Sequence, residues 1–204
     1  MKKMILVFAV LTAILMLSSF ALAQKSPIDK GSILLSGGIS FASAGGDLYK
    51  SADDKSQTLI TLNPSGSYFV IKGLAVGPTV EFSSLTQGDA KASLFGFGAQ
   101  AEYYFDMLAK EKEGKGALYP YLGAAFLYVG NTSNSGAAGE EDIKSHTTRI
   151  AFEGGAVYMV SDAVGVFGQI EFDMDSAKRT KPVEGESVSG TIFGIFTGFT
   201  YFIF

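Results

Sequence analysis

From Gly31 onward the chain alternates apolar with small or polar residues at period two, the spacing of a strand with one greasy face. Eight such runs are separated by polar turns. In the first, Ile33, Leu35, Ile39 and Phe41 oppose Ser32, Ser36, Gly38 and Ser40. In the second, Leu62, Tyr68 and Val70 oppose Thr61, Asn63, Ser65 and Ser67. The third sets Val76, Val80 and Phe82 against Ala75, Gly77, Thr79 and Glu81. The fourth sets Phe95, Phe97, Ala99, Ala101, Tyr103 and Phe105 against Gly96, Gly98, Gln100, Glu102 and Asp106. The fifth, "LYPYLGAAFLYV", is apolar on both parities, and Leu122, Ala124, Phe126 and Tyr128 are assigned to its greasy side. The sixth opposes Ile150, Phe152, Ala156 and Tyr158 to Arg149, Ala151, Glu153 and Gly155. The seventh opposes Val164, Val166, Ile170, Phe172 and Met174 to Gln169, Glu171, Asp173 and Asp175. In the eighth, Ile192, Phe196, Phe202 and Phe204 are assigned to the greasy side, with Ser189, Thr191, Thr197 and Tyr201 opposite.

Volume decides which face is inside. One face carries rings and branched chains with almost no charge. The other mixes Gly, Ala and Ser with acids and Arg149, plus a few rings such as Phe69, Phe167 and Phe199. A small barrel has interior room mainly for modest side chains. Turning the ring-bearing face inward would overfill it and put Glu81, Glu102, Glu153 and Glu171 outside. Turning that face outward requires a non-aqueous surround, and a lipid bilayer supplies one.

The connections alternate in length, as they do in outer-membrane barrels with tight periplasmic turns and longer extracellular loops. Residues 71–74 and 160–163 are short turns; 43–57, 84–93, 130–146 and 175–187 read as long polar loops. The charged connection 106–117 is long where a short one is expected. Two levels of outward aromatics follow from this orientation. Tyr68, Tyr103, Phe105, Tyr158, Phe202 and Phe204 fall low, and Phe41, Phe82, Phe126, Tyr128 and Phe172 fall high, as interfacial belts do. Pro64, Pro78 and Pro120 interrupt strands of a barrel that has no free edge. A bulge near the periplasmic rim would absorb the latter two, whereas Pro64 lies nearer mid-strand.

Composition adds the compartment. "MKKMILVFAVLTAILMLSSFALAQ" has a charged start, a short apolar core and an Ala-x-Ala site ending at Ala23, the pattern of a cleavable Sec-type signal peptide. A membrane anchor helix is the competing reading, and the apolar core is too short for it. Residues 1–23 are therefore expected to be removed and 24–204 to form one outer-membrane β-barrel domain. The whole-chain charge of −4, less the charges of Lys2 and Lys3, leaves −6. An acidic chain without basic clusters offers nucleic acid no footprint. With no Cys, disulfides and thiolate chemistry are excluded.

Signal peptide, eight alternating runs, "PYLGAAF" at 120–126 and a last run with Phe202 two before Phe204 together resemble the small outer-membrane β-barrel family of OmpA/OmpX type. The resemblance covers nearly all of the expected mature chain and implies an all-β fold: an eight-stranded antiparallel transmembrane β-barrel. It further implies that Phe202 and Phe204 close the cylinder and mark the chain for the β-barrel assembly machinery, with periplasmic chaperones escorting it. Gly198 and Phe199 do not align cleanly with the family's small-residue placement in that signal. No peptidoglycan-binding module is expected after the barrel.

Candidate chemistry is sparse. The lumen face collects Arg149, Glu153, Asp173, Glu171, Gln169, Glu102, Gln100 and Glu81. Pairing the sixth and seventh runs about Ser161–Asp162 brings Arg149 opposite Asp173 or Asp175, and Glu153 opposite Gln169 or Glu171. Such groups serve either as a gate in a narrow ion path or as a static network satisfying buried polar atoms, and a filled eight-stranded interior favours the network. The excess of Glu over Arg would bias any leak toward cations. His146, the single histidine, lies beside Ser145 and Thr147, with Glu153 further along the run. A Ser–His–Glu site is opposed because neighbours on a strand face opposite ways, and the His-x-Ser spacing of lipid A deacylases is absent; a solvated loop histidine is the simpler reading. The acidic stretches 51–54 and 139–142 lack the ligand alternation of a calcium loop. The Gly-rich pieces 95–98 and 154–157 precede no helix that would cradle phosphate. The expectation is thus a non-catalytic outer-membrane protein without cofactor or metal, surrounded by lipid. It would support envelope integrity, adhesion or resistance, meeting host or surface ligands through its loops. A narrow, weakly cation-selective channel is the alternative, and a lipid-modifying enzyme at the rim the third.

Overall fold

The computed structural model describes residues 26–45, 47–49, 57–87, 90–109, 114–134, 143–181 and 187–204. The expected leader lies outside these residues, as do the acidic stretches 51–54 and 139–142. Eight strands form: β1 (Ile33–Gly45), β2 (Gln57–Ile71), β3 (Leu74–Gln87), β4 (Ala90–Tyr104), β5 (Leu118–Asn134), β6 (Ile143–Met159), β7 (Val164–Lys181) and β8 (Ser187–Ile203). Each pairs antiparallel with its chain neighbours, and β8 returns to β1, closing the barrel from Ile33↔Ile203 to Gly45↔Thr191. Closure leaves no edge whose N–H and C=O groups would face lipid unpaired.

The alternation of the sequence becomes an inside and an outside. Along β3, Ala75, Thr79 and Glu81 are buried while Phe82 is exposed. Along β7, Glu171, Asp173 and Asp175 are buried while Ile170, Phe172 and Met174 are exposed. The ambiguous β5 turns Leu122, Phe126 and Tyr128 outward and Tyr119, Tyr121, Leu127 and Val129 inward.

Strand β8 corrects the sequence reading. Ile192, Phe196 and Phe202 are buried, whereas Phe193, Ile195 and Phe199 are exposed, so the face assigned to lipid is the lumen face. Large apolar residues occupy both parities of this run, so ring counting could not orient it. Close approach orients it instead. A side chain at Gly198 would fall 2.2 Å from the Gly37 carbonyl oxygen, and one at Gly194 would fall 3.1 Å from Ala42 Cβ. These glycines share the even parity with Phe196 and Phe202 and make room beside them inside the barrel.

Strands also run further than expected. Residues 84–93 are almost wholly ladder, since β3 reaches Gln87 and β4 begins at Ala90. The long segments 130–146 and 175–187 likewise contribute strand through Asn134, from Ile143, and through Lys181. At about 3.3 Å per residue and a tilt near 40°, 17 residues rise roughly 43 Å, against an apolar band of about 25 Å. The outer ends of β5 to β8 therefore stand clear of the bilayer.

Two of the three prolines interrupt the same seam. Pairing continues through Gly37↔Pro64 and through Pro78↔Ala99. In the β2–β3 seam only Ser65↔Thr79 pairs between Leu62↔Phe82 and Tyr68↔Val76. Both ladder defects share one seam, and side chains bridge it: Thr79 Oγ1 donates to Asn63 Oδ1 at 2.9 Å, and Thr61 and Ser83 share a hydroxyl bond at 2.8 Å. Pro120 sits at the end of the β4–β5 ladder, where its carbonyl accepts from Phe105 N at 2.8 Å.

Candidate functional site

The lumen is layered. Its periplasmic end is an aromatic plug. Phe69, fully buried, lies with its ring centroid 5.6 Å from Tyr104 and 6.3 Å from Phe202, and Tyr104 stacks on Tyr121 at 5.0 Å. Two connections fold beneath it. The segment before β1 buries Pro27 and Ile28; Gly31 N donates to the Phe69 carbonyl at 2.9 Å, and Gly73 N to the Ile28 carbonyl at 2.8 Å. The described part of the connection from β4 to β5 buries Ala109 and Ala117, and Gly116 N donates to the Met159 carbonyl at 2.8 Å. Gly114 and Gly116 turn the chain here at φ of 85° and 88°, values that favour glycine. This is the charged connection whose length did not fit a tight turn. Its apolar alanines close the barrel's lower mouth.

Above the plug lies a carboxylate and amide layer. Gln169 Nε2 donates to Glu153 Oε2 at 2.9 Å and to Glu171 Oε2 at 3.0 Å, while its Oε1 accepts from the Tyr121 hydroxyl at 2.5 Å. Gln100 Nε2 donates to Glu102 Oε2 and to Ser67 Oγ, both at 3.2 Å. Gly123 leaves the space that the Glu153 carboxylate fills, because a side chain there would collide with it. A void of about 40 Å³ sits within this layer, bounded by Asn63, Thr79, Gln100 and Gln169 among others. That is room for a few waters and no more.

Higher still, Arg149 is almost completely buried. Its Nη1 donates to Glu81 Oε2 at 2.6 Å, and Nε and Nη2 form a fork on Asp175 at 2.8 and 2.9 Å. Asp173 lies 3.5 Å from Nε. Ser83 Oγ in turn donates to Glu81 Oε1 at 2.6 Å. The hairpin register supplies Asp175, directly opposite Arg149. Glu81 reaches it from β3, across the lumen, a contact that strand pairing does not reveal. Above this cluster Ala42, Ala44, Leu59 and Ile192 form a small apolar layer. Eight groups expected on the lumen face thus form two clusters, one around Arg149 and one around the two glutamines.

On the outer wall Tyr68, Tyr103 and Tyr158 are exposed near the periplasmic ends of their strands, and Phe105 is half-buried just beyond β4. Phe41, Phe82, Phe126 and Phe172 are exposed eight residues from the periplasmic ends of β1, β3, β5 and β7, and Tyr128 two residues further. Eight residues climb about 20 Å, close to the height of an apolar band. Phe82 meets Phe95 at 5.2 Å and Tyr128 meets Phe97 at 6.0 Å. Phe193, opposite Phe172, joins the upper ring. The sequence reading missed it by inverting β8. Phe202 is a member of the plug rather than the lower belt, and Phe204 is exposed at the periplasmic rim.

His146 is a strand residue, which corrects its reading as a loop histidine. It stands outward on β6 and stacks on Tyr128, with ring centroids 5.2 Å apart and 23° between planes. Glu153 lies on the opposite, lumen-facing parity of the same strand, and Ser145 precedes His146 on that parity.

No family model matches the chain, and no curated protein matches it. Solved structures do. Neisserial surface protein A is similar over 86% of this chain and 100% of its own, with a TM-score of 0.61 and 17% identity. The outer membrane protein OprG from Pseudomonas aeruginosa is similar over 87% of this chain and 99% of its own, at 0.53 and 17%. The outer membrane protein AlkL, solved in lipid bilayers, is similar over 89% and 94%, at 0.53 and 14%. The shared feature is the fold: a small, closed outer-membrane barrel.

Proposed function

We propose that this outer-membrane β-barrel is a non-catalytic structural and surface-interaction protein, with a sealed lumen, that meets surface ligands at its extracellular strand ends and loops. The observation that carries the reading is the plug of Phe69, Tyr104, Tyr121 and Phe202, underlain by Ile28. Rings with centroids 5.0 to 6.3 Å apart, packed with the buried Ile28, support a closed lower mouth. The outer ends of β5 to β8, standing beyond the bilayer, supply a platform for loops that meet host or surface ligands. A fold neighbour whose name marks it as a surface protein accords with that role. The outward His146 and lumen-facing Glu153 argue against a rim enzyme, because a base and its orienting carboxylate must share a site.

Phe204 is proposed as the exposed element of the terminal signal recognised by the assembly machinery, with Phe202 serving the plug. Phe204→Ala is expected to lower the yield of inserted barrel in cells while leaving refolding in detergent unchanged.

Planar-bilayer recording tests the main reading. The protein is expected to show no steady conductance, and the Phe69→Ala/Phe202→Ala double variant is expected to open cation-preferring events. Steady conductance of the unaltered protein would favour the channel alternative, for which the acidic residues around Arg149 would set the cation preference.

A further inference from the structure

The periplasmic rim carries a feature that neither the plug nor the loops require. In the turn after β4, Met107 and Leu108 are 60% and 59% exposed. Large apolar side chains on a water-facing turn gain nothing from that exposure. They adjoin the lipid-facing wall through Phe105, whose ring meets Tyr103 edge-on at 5.1 Å and 73°. Ile71, at the foot of β2, is exposed as well. The apolar wall therefore continues past the end of the strands onto this turn.

Directly beside it is a cavity of about 220 Å³ lined by Lys72, Gly73, Tyr103, Phe105, Asp106 and Met107 among others. Lys72 Nζ pairs with Asp106 Oδ2 at 3.1 Å, and both side chains are about half exposed, 52% and 49%. One ammonium and one carboxylate are thus presented side by side between exposed apolar side chains, next to Tyr103 and Phe105 of the lower aromatic belt, a level that belts share with lipid head groups. We infer that this cavity is a binding site for the head group of an inner-leaflet phosphoethanolamine lipid. The lipid phosphate would accept from the Lys72 ammonium, and the lipid ammonium would donate to the Asp106 carboxylate. Met107 and Leu108 would lie against its acyl chains. A zwitterion set antiparallel to the Lys72–Asp106 pair matches both charges without adding net charge. A choline head group cannot donate to Asp106, because its nitrogen carries no proton. A glycerol head group has no cation to offer.

The full barrel, reconstituted in vesicles holding equal parts of phosphatidylethanolamine, phosphatidylglycerol and phosphatidylcholine, is extracted in mild detergent. Native mass spectrometry then reads the retained lipid. Retention of phosphatidylethanolamine over phosphatidylcholine by roughly fivefold is expected, equivalent to about 1 kcal/mol. Lys72→Gln should reduce retention of both phosphatidylethanolamine and phosphatidylglycerol. Asp106→Asn should remove the preference for ethanolamine over glycerol. Leu108→Gln should lower total retention without reordering the head groups. All three variants are expected to fold, since a half-exposed ion pair contributes little to stability, and heat-modifiable gel mobility verifies it. Equal retention of the three lipids, or unchanged retention in the folded variants, would overturn the site.

Discussion

Arg149 is the residue on which the upper lumen turns. Its guanidinium gathers Glu81, Asp173 and Asp175, and all four side chains are buried. Removing one partner of such a group strands the others without compensation, at a cost of about 3–5 kcal/mol. Arg149→Ala is therefore expected to lower the stability of the refolded barrel by that amount, read from urea unfolding in micelles. Replacing Lys72, whose pair with Asp106 is half exposed, is expected to change it by less than about 1 kcal/mol. Glycine matters where backbones crowd. At Gly98 a side chain would stand 2.0 Å from the Phe126 carbonyl oxygen, so β4 and β5 would have to part. Gly98→Ala is expected to cost about 1–3 kcal/mol in the same measurement, whereas Gly37→Ala, with nothing within 4 Å, is expected to be tolerated.

At the scale of the strand, the orientation of β8 gives a sharp expectation. Phe199 is exposed to lipid four residues above the periplasmic end of β8, near mid-band, and Thr191 lies twelve residues above that end, toward the outer rim. Arginine on a lipid face costs about 2–4 kcal/mol at the midplane and about 0–1 near an interface. Phe199→Arg should therefore destabilise the barrel far more than Thr191→Arg, as read from unfolding in vesicles. The β2–β3 seam, thinned by Pro64 and Pro78, should exchange its amide protons faster than the continuous β5–β6 seam. Strands such as β3 were legible because Glu81 and Phe82 leave only one facing compatible with lipid. β8 was not, because Ile192 and Phe193, then Ile195 and Phe196, present equal bulk to both sides. Its facing is set by Gly194 and Gly198 against β1, information held in a partner strand more than a hundred residues away. The connection from β4 to β5 was unreadable for a related reason. Its charges announce a loop, while Ala109 and Ala117 are buried only because a finished barrel mouth exists for them to cover.

For the whole molecule, the sequence pattern predicted a cylinder with a ring-bearing outside and a polar inside, and the structure shows one. What the pattern could not show is that the inside is divided: rings below, carboxylates and amides in the middle, Arg149 and a thin apolar layer above. The contact between Arg149 and Glu81 joins β6 to β3 across the lumen and exists only once the cylinder closes. The proposed surface role and the lack of conductance both depend on this architecture being held in a bilayer with its rings outward. The chain contains no tryptophan, so one placed at a chosen wall reports that wall alone. Phe172→Trp and Phe69→Trp, refolded separately into vesicles with brominated acyl chains, compare the outer wall with the plug. Strong quenching at position 172 and little at position 69 is the expected result. Quenching at 69 with emission at 172 preserved would contradict the account.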